Sequence, residues 1–200
     1  MKPAVDHATV LRRIRDLQTV VIHPQDQDGE ELVEQLHRIG CRVQIAWPEL
    51  DQLPLDTGLI LMAVRPETLR VAYTWLGQPT TPPVIPVVTY ESPTTIEAVL
   101  RLNAYGTIAS PVRAFGLLTV IAVTLSQHEK RQAHEHYIRR LEQKSAHQRL
   151  LHQAKQLVMR TRGVSEDEAY GFLRDQAMSR RITIEDIARN VMEAHKLLGL

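Results

Sequence analysis

At 200 residues the chain has room for one ordinary domain and a smaller module. Its 44% apolar content excludes a disordered or collagen-like protein, and with no apolar signal segment and no run of about 18 apolar residues the chain is expected to be cytoplasmic, with no membrane contact. The net charge of +1 conceals a lean: residues 1–125 hold 10 Lys/Arg against 13 Asp/Glu and residues 126–200 hold 14 against 10, so a polyanionic partner belongs with the C-terminal part.

In chain order, residues 1–15 read as an N-terminal extension and residues 16–125 as one α/β domain. Five short runs rich in β-branched residues, Thr19–His23, Arg42–Trp47, Gly58–Val64, Val84–Thr89 and Gly106–Ala109, have the length of buried strands of a parallel sheet. Helices are expected to fill the gaps between them. The first runs from about Asp28 to Ile39, with Leu32, Val33, Leu36 and Ile39 on one face and Gly40 at the C-cap. Pro66 opens a second, to about Leu76, and Pro93 a third carrying Ile96, Val99, Leu100 and Asn103. The Gln78–Pro83 stretch is a turn, and Pro86 predicts an irregularity in the fourth strand.

From Leu117 to Arg162 there is neither glycine nor proline, which predicts one continuous helix on the order of 70 Å long. Leu117, Leu118, Ile121, Ala122 and Leu125 can pack on the sheet. Beyond Ser126 the sequence turns polar, and residues 126–149 read as a coiled-coil helix that dimerises through Tyr137, Ile138 and Leu141, against the plainer reading of a solvated linker helix. Residues 150–200 form a three-helix bundle. Its first helix ends at Gly163, its second starts at the capping box Ser165–Glu168 and carries Ala169, Phe172, Leu173, Gln176 and Ala177, and its third starts at Thr183 and Asp186. Met159 and Met178 are expected in its core.

No catalytic chemistry is expected. Walker A, GxGxxG, HExxH and GxSxG motifs are all missing. Of nine histidines, five lie in the polar helix (His128, His134, His136, His147, His152), at spacings that do not bring two ligands to one metal ion. Neither a metal nor another cofactor is implied. Cys41 cannot form an internal disulfide and is expected to be a small buried hydrophobe.

The α/β part resembles the receiver domains of two-component response regulators, which implies a flavodoxin-like fold. The phosphorylation residues of that family are missing. The acceptor aspartate position reads Ala63, Ser110-Pro111 stands where the family has Lys-Pro, and the first strand is followed by His23-Pro24-Gln25-Asp26 in place of a paired-carboxylate Mg²⁺ site. Without an acceptor carboxylate no acyl phosphate forms, so this is a pseudo-receiver. Only Thr89, near the family's switch hydroxyl, remains.

Residues 145–195 resemble the ANTAR domain, a three-helix RNA-binding module, through Ala154-Lys155-x-x-Val158-Met159, Gly163-Val164-Ser165, Glu168-Ala169, Leu173-Arg174, Ala177-Met178, Arg180-Arg181 and Ile187-Ala188. The blocks Gln35–Cys41, Ala46-Trp47-Pro48 and Tyr90-Glu91-Ser92-Pro93 extend the likeness to the amidase-operon regulators, in which pseudo-receiver, coiled coil and ANTAR domain follow one another. That resemblance implies a homodimer that binds paired hairpins in a leader RNA and prevents formation of a terminator. It also implies control by an amide-sensing protein of the periplasmic-binding-protein fold. The RNA-contacting candidates are Lys155, Arg160, Arg162, Arg174, Arg180 and Arg181, whose long cations suit phosphates and unpaired loop bases, with Tyr170 as a base-stacking side chain. The bland alternative is a solvated surface balanced by Glu166, Asp167, Glu168 and Asp175, and the rival function is a DNA-binding response regulator.

Overall fold

The computed structural model describes residues 12–48 and 50–198. The N-terminal extension expected over 1–15 falls inside them only from residue 12, and Ile14 there is buried in the α/β core. The chain divides into two compact units, Met1–Gln132 and Ala133–Leu200.

The first unit is built on β1 (Gln18–Ile22), α1 (Gln27–Ile39), β2 (Arg42–Ala46), β3 (Leu59–Ala63), α2 (Pro66–Leu69), β4 (Val84–Val88), α3 (Pro93–Arg101) and β5 (Ile108–Ala109). The strands form one parallel sheet in the order β2-β1-β3-β4-β5, the flavodoxin-like order. The five expected strands correspond to these within one or two residues at most ends. Helix α4 (Ala114–Arg162) leaves the sheet, its backbone broken at Phe115 and Gly116 and helical from Leu117 onward.

Helix α1 has a clear beginning and end. Asp26 caps it by accepting from the Gly29 N–H at 2.9 Å, and Gly40, at φ 101°, closes it in the left-handed region. Alternation along the strands sends Val21, Leu59, Leu61, Ile85 and Val87 to one face, against Leu32 and Leu36 of α1 and Leu117, Ile121 and Leu125 of α4. Each of these fully buried side chains contributes about 1.5–3 kcal/mol of transfer free energy. Leu118, expected to pack with them, is 41% exposed. Cys41 is buried in this core, where burial pushes its thiol up.

The other face corrects the expectation that helices fill every gap. Among the described residues no helix connects β2 to β3, and the helix expected from Pro66 to about Leu76 stops at Leu69. Val71, Tyr73, Thr74 and Trp75 are poor helix formers, and their side chains find other partners. Tyr73 Oη donates to the Pro48 carbonyl at 2.7 Å and Trp75 Nε1 to that of Leu50 at 2.9 Å. These loops lay Trp47, Leu50, Leu53, Tyr73 and Trp75 over Val20, Ile22, Ile60, Met62 and Val84, so the tertiary contacts of the aromatics win over helical backbone bonding.

Two smaller departures have local causes. Helix α3 buries Thr95 and Ala98 and leaves Ile96 and Leu100 exposed, and it ends before Asn103, which is left-handed at φ 50°. Pro86 sits in a regular strand. The carbonyls of Pro83 and Val87 face β3 and that of Val88 faces β5, so alternation turns the missing N–H of Pro86 toward β5, which pairs only with Val87 and Val88.

The second unit holds the rest of α4 with α5 (Glu166–Arg180) and α6 (Ile184–Leu198). Gly163, at φ 65°, turns the chain after α4. The Ser165 capping box is formed on both sides, Glu168 N–H donating to Ser165 Oγ at 3.4 Å and Ser165 N–H to Glu168 Oε2 at 2.9 Å. Ala154, Val158, Ala169, Leu173, Ala177, Ile187 and Ala188 form the core. The small side chains let the helices approach closely.

Candidate nucleic-acid interface

The C-terminal ends of β1, β3 and β5 are where a receiver would carry its chemistry, and the side chains here do not fit a magnesium ion. Both oxygens of Asp26 are taken, Oδ1 by the Gly29 N–H and Oδ2 by Arg65 Nη2 at 3.0 Å. His23 is 1% exposed, with Nδ1 at 3.0 Å from the Pro24 carbonyl and 3.4 Å from Asp26 Oδ1. A Cβ at Gly29 would come 2.3 Å from the Pro24 carbonyl oxygen, so glycine is required for this close approach. Asp28 accepts from the Ser110 hydroxyl. Ala63 is buried, and Thr89 is exposed past the end of β4. A guanidinium already neutralises the one carboxylate best placed to hold a cation, and no acceptor carboxylate stands at residue 63.

The second unit sorts its cations into two groups. Lys155 is bound to the Glu166 carboxylate, tying α4 to the first turn of α5, and the Lys155 ammonium, first by hydrogen bond and then by charge, holds Glu166 below the ordinary carboxylate value. Arg162 lies over the Phe172 ring, 3.8 Å from its centroid, in cation–π contact. Arg160, Arg174, Arg180 and Arg181 are exposed, and among the described residues none of them is in an ion pair.

The exposed group is ordered. On α5, Tyr170, Arg174 and Met178 recur every fourth residue and so stand on one side of the helix, each exposed, Tyr170 by 42% and Met178 by 66%. Met178, expected in the core, belongs to this outer stripe because the inner positions are filled by Ala169, Leu173 and Ala177. The stripe ends at Arg181, the C-cap of α5, held left-handed at φ 54°, ψ 39° with its N–H on the Ala177 and Met178 carbonyls. Glycine or asparagine is the usual residue there, and an arginine costs about 1 kcal/mol or more of backbone energy. Arg181 is thus a long exposed cation, three residues after Met178, in a backbone region that residues other than glycine rarely adopt.

The turns that set this surface are held by charge-assisted capping. The Ser165 backbone N–H, with its hydroxyl, holds Glu168 below its ordinary value, and the Thr183 hydroxyl does so for Asp186, helped by Arg189 at 2.9 Å. Along α4, Tyr137, Ile138 and Leu141 are 59%, 40% and 47% exposed. Among the described residues no three His, Cys, Asp or Glu side chains are placed to hold a metal ion, and no helix is long and apolar enough to cross a membrane.

Sequence reasoning reached the arginines from residue type and position. It placed Met178 in the core, whereas that side chain is 66% exposed, four residues after Arg174. The alternative of cations balanced by nearby carboxylates holds for Lys155, through Glu166, whereas the contact of Arg162 with Phe172 was not foreseen.

Two family models match this chain, one in each part. The ANTAR domain family matches residues 139–192. The aliphatic amidase regulator of Pseudomonas aeruginosa is 29% identical over 187 residues, covering 92% of this chain and 95% of that protein. Among solved structures, the response regulator StyR is 14% identical at a TM-score of 0.49, covering 89% of this chain and 99% of that one. Full-length FixJ from B. japonicum is 13% identical at 0.46, covering 91% and 98%. The AmiR N-terminal family matches residues 17–125, more than half of the length, and the chain therefore belongs to that family, with an ANTAR domain following.

Proposed function

We propose that the chain is a non-enzymatic transcription antitermination regulator that binds hairpins of a leader RNA through its ANTAR unit and so keeps a terminator from forming. The observation that carries this reading is the exposed Tyr170–Arg174–Met178 stripe running to the left-handed Arg181. Aromatic, thioether and guanidinium groups side by side suit unstacked loop bases, which offer flat faces and a charged backbone. Arg160 and Arg180 add cations for phosphates.

The pseudo-receiver takes its input from a protein. Its phosphorylation residues are replaced, the relative in P. aeruginosa is an aliphatic amidase regulator, and the likeness to amidase-operon regulators points to an amide-sensing partner of periplasmic-binding-protein fold. The same likeness and the exposed apolar residues Tyr137, Ile138 and Leu141 support a homodimer joined along α4.

The test is an equilibrium binding measurement with the full chain, an RNA carrying two hairpins, and duplex DNA of the same sequence. Selective RNA binding that weakens about tenfold in Arg174→Ala, within the roughly 1–3 kcal/mol measured per stacked base, is the expected result. Equal affinity for the duplex, or no binding of either, overturns the reading and returns the bundle to a DNA-binding or adaptor role.

A further inference from the structure

The core-facing side of α4 in the second unit is Leu151, Ala154 and Val158. Traced toward the N-terminus at the same three-and-four spacing, that side continues through His147, Lys144 and Arg140. The apolar contact with the bundle therefore gives way, along one unbroken face, to cations. There the structure has a cleft of about 420 Å³ lined by Arg140, Gln143, Lys144, His147, Gln148 and Leu151 of α4 and by Glu185 of α6. Its size is that of a small-ligand site.

The charges in it are uncommitted. Nearby Arg139 is paired with Glu135 at 3.8 Å and Arg149 donates to Ser145 Oγ at 3.1 Å. Among the described residues Arg140 and Lys144 take part in no ion pair or hydrogen bond. Two free cations, two side-chain amides and an imidazole against one carboxylate make a lining that donates hydrogen bonds and attracts anions. Tyr137 lies three residues before Arg140 and Leu141 three before Lys144, so they border the cleft, whereas Ile138 stands on another side of the helix.

We propose that this cleft is a second RNA-binding subsite, a seat for phosphodiester groups of the same RNA that meets α5, with Arg140 and Lys144 as its phosphate ligands. The proposal rests on the RNA-binding reading above. It extends the contact surface along α4 by about 30 Å from Arg160 to Arg140, N-terminal to the bundle core, and assigns Glu185 as a residue that weakens binding by repulsion.

The experiment compares the full chain with Arg140→Gln/Lys144→Gln, Arg140→Lys/Lys144→Arg and Glu185→Gln, using the two-hairpin RNA and duplex DNA over a range of salt. Circular dichroism and sedimentation confirm that fold and association state are kept. The double Gln variant is expected to bind the RNA about tenfold more weakly at low salt, and its slope of log K against log salt is expected to fall by about 1.4–1.8. The Lys/Arg swap retains the slope, and Glu185→Gln binds about two- to threefold tighter. If the natural chain binds RNA and Arg174→Ala weakens it, yet the double Gln variant keeps affinity and slope, the subsite is overturned while the α5 reading stands. A loss on duplex DNA equal to the loss on RNA overturns its assignment to RNA. Failure of the natural chain to bind RNA overturns both.

Discussion

Replacing Arg181 by glycine should change stability and binding in opposite directions. The residue holds φ 54°, ψ 39° at the end of α5, where any side chain with a Cβ costs about 1–2 kcal/mol that glycine does not incur. Glycine also loosens the unfolded chain, by about 0.4–1 kcal/mol. The balance is a gain of about 0.5–1 kcal/mol for Arg181→Gly, or roughly 2–8 °C in the Tm of a unit this size. Both tryptophans, Trp47 and Trp75, lie in the first unit. Their fluorescence therefore follows the sheet while circular dichroism of the same sample also reports the helices, and only the helical transition should move. The same variant should bind the two-hairpin RNA about tenfold more weakly. A lowered helical Tm would show that the arginine side chain stabilises the cap, and undiminished RNA affinity would show that the strain serves no contact; either result refutes the reasoning.

Three further outcomes are expected. Glu166, Glu168 and Asp186 all have lowered folded values, so their stabilisation is present at neutral pH and is lost as pH falls through those values; the bundle should loosen in acid, in a transition that Ser165→Ala, costing about 1 kcal/mol at the N-cap, shifts to higher pH in a circular-dichroism titration. Ala63→Asp, incubated with Mg²⁺ and a small phosphoryl donor, should gain no phosphoryl group by mass spectrometry, because Arg65 occupies Asp26 and Ser110 occupies Asp28. Ile138→Asp/Leu141→Asp should sediment as a monomer, since a carboxylate pair on a paired helix surface is unfavourable.

The sequence made the sheet legible because its three central strands, β1, β3 and β4, are short apolar runs buried on both faces, as an inner strand of a parallel sheet must be, while β2 at the edge is largely exposed. The cover of the second face was not legible. Whether Arg70–Leu76 coils into a helix or lies flat depends on whether Tyr73 and Trp75 can reach the carbonyls of Pro48 and Leu50, residues more than twenty positions away. In the bundle, caps and apolar spacing announced the helices, since Ser165, Glu168 and Thr183 act within one turn. Exposure was harder. Met178 has the same local pattern as a core residue, and only the packing of Ala169, Leu173 and Ala177 decides which side of α5 faces in. Likewise Arg162 looks like any surface cation until Phe172 arrives beneath it.

The Arg65–Asp26 ion pair makes the counter-ion of this sheet edge a tethered one. A guanidinium carried on the connection after β3, the strand beside β1 in the sheet, is present at a fixed effective concentration, undiluted by dialysis and beyond the reach of a chelator. Both groups are about a third exposed, so dissolved ions can screen the pair, but the tether returns the guanidinium to Asp26 whenever a competitor leaves.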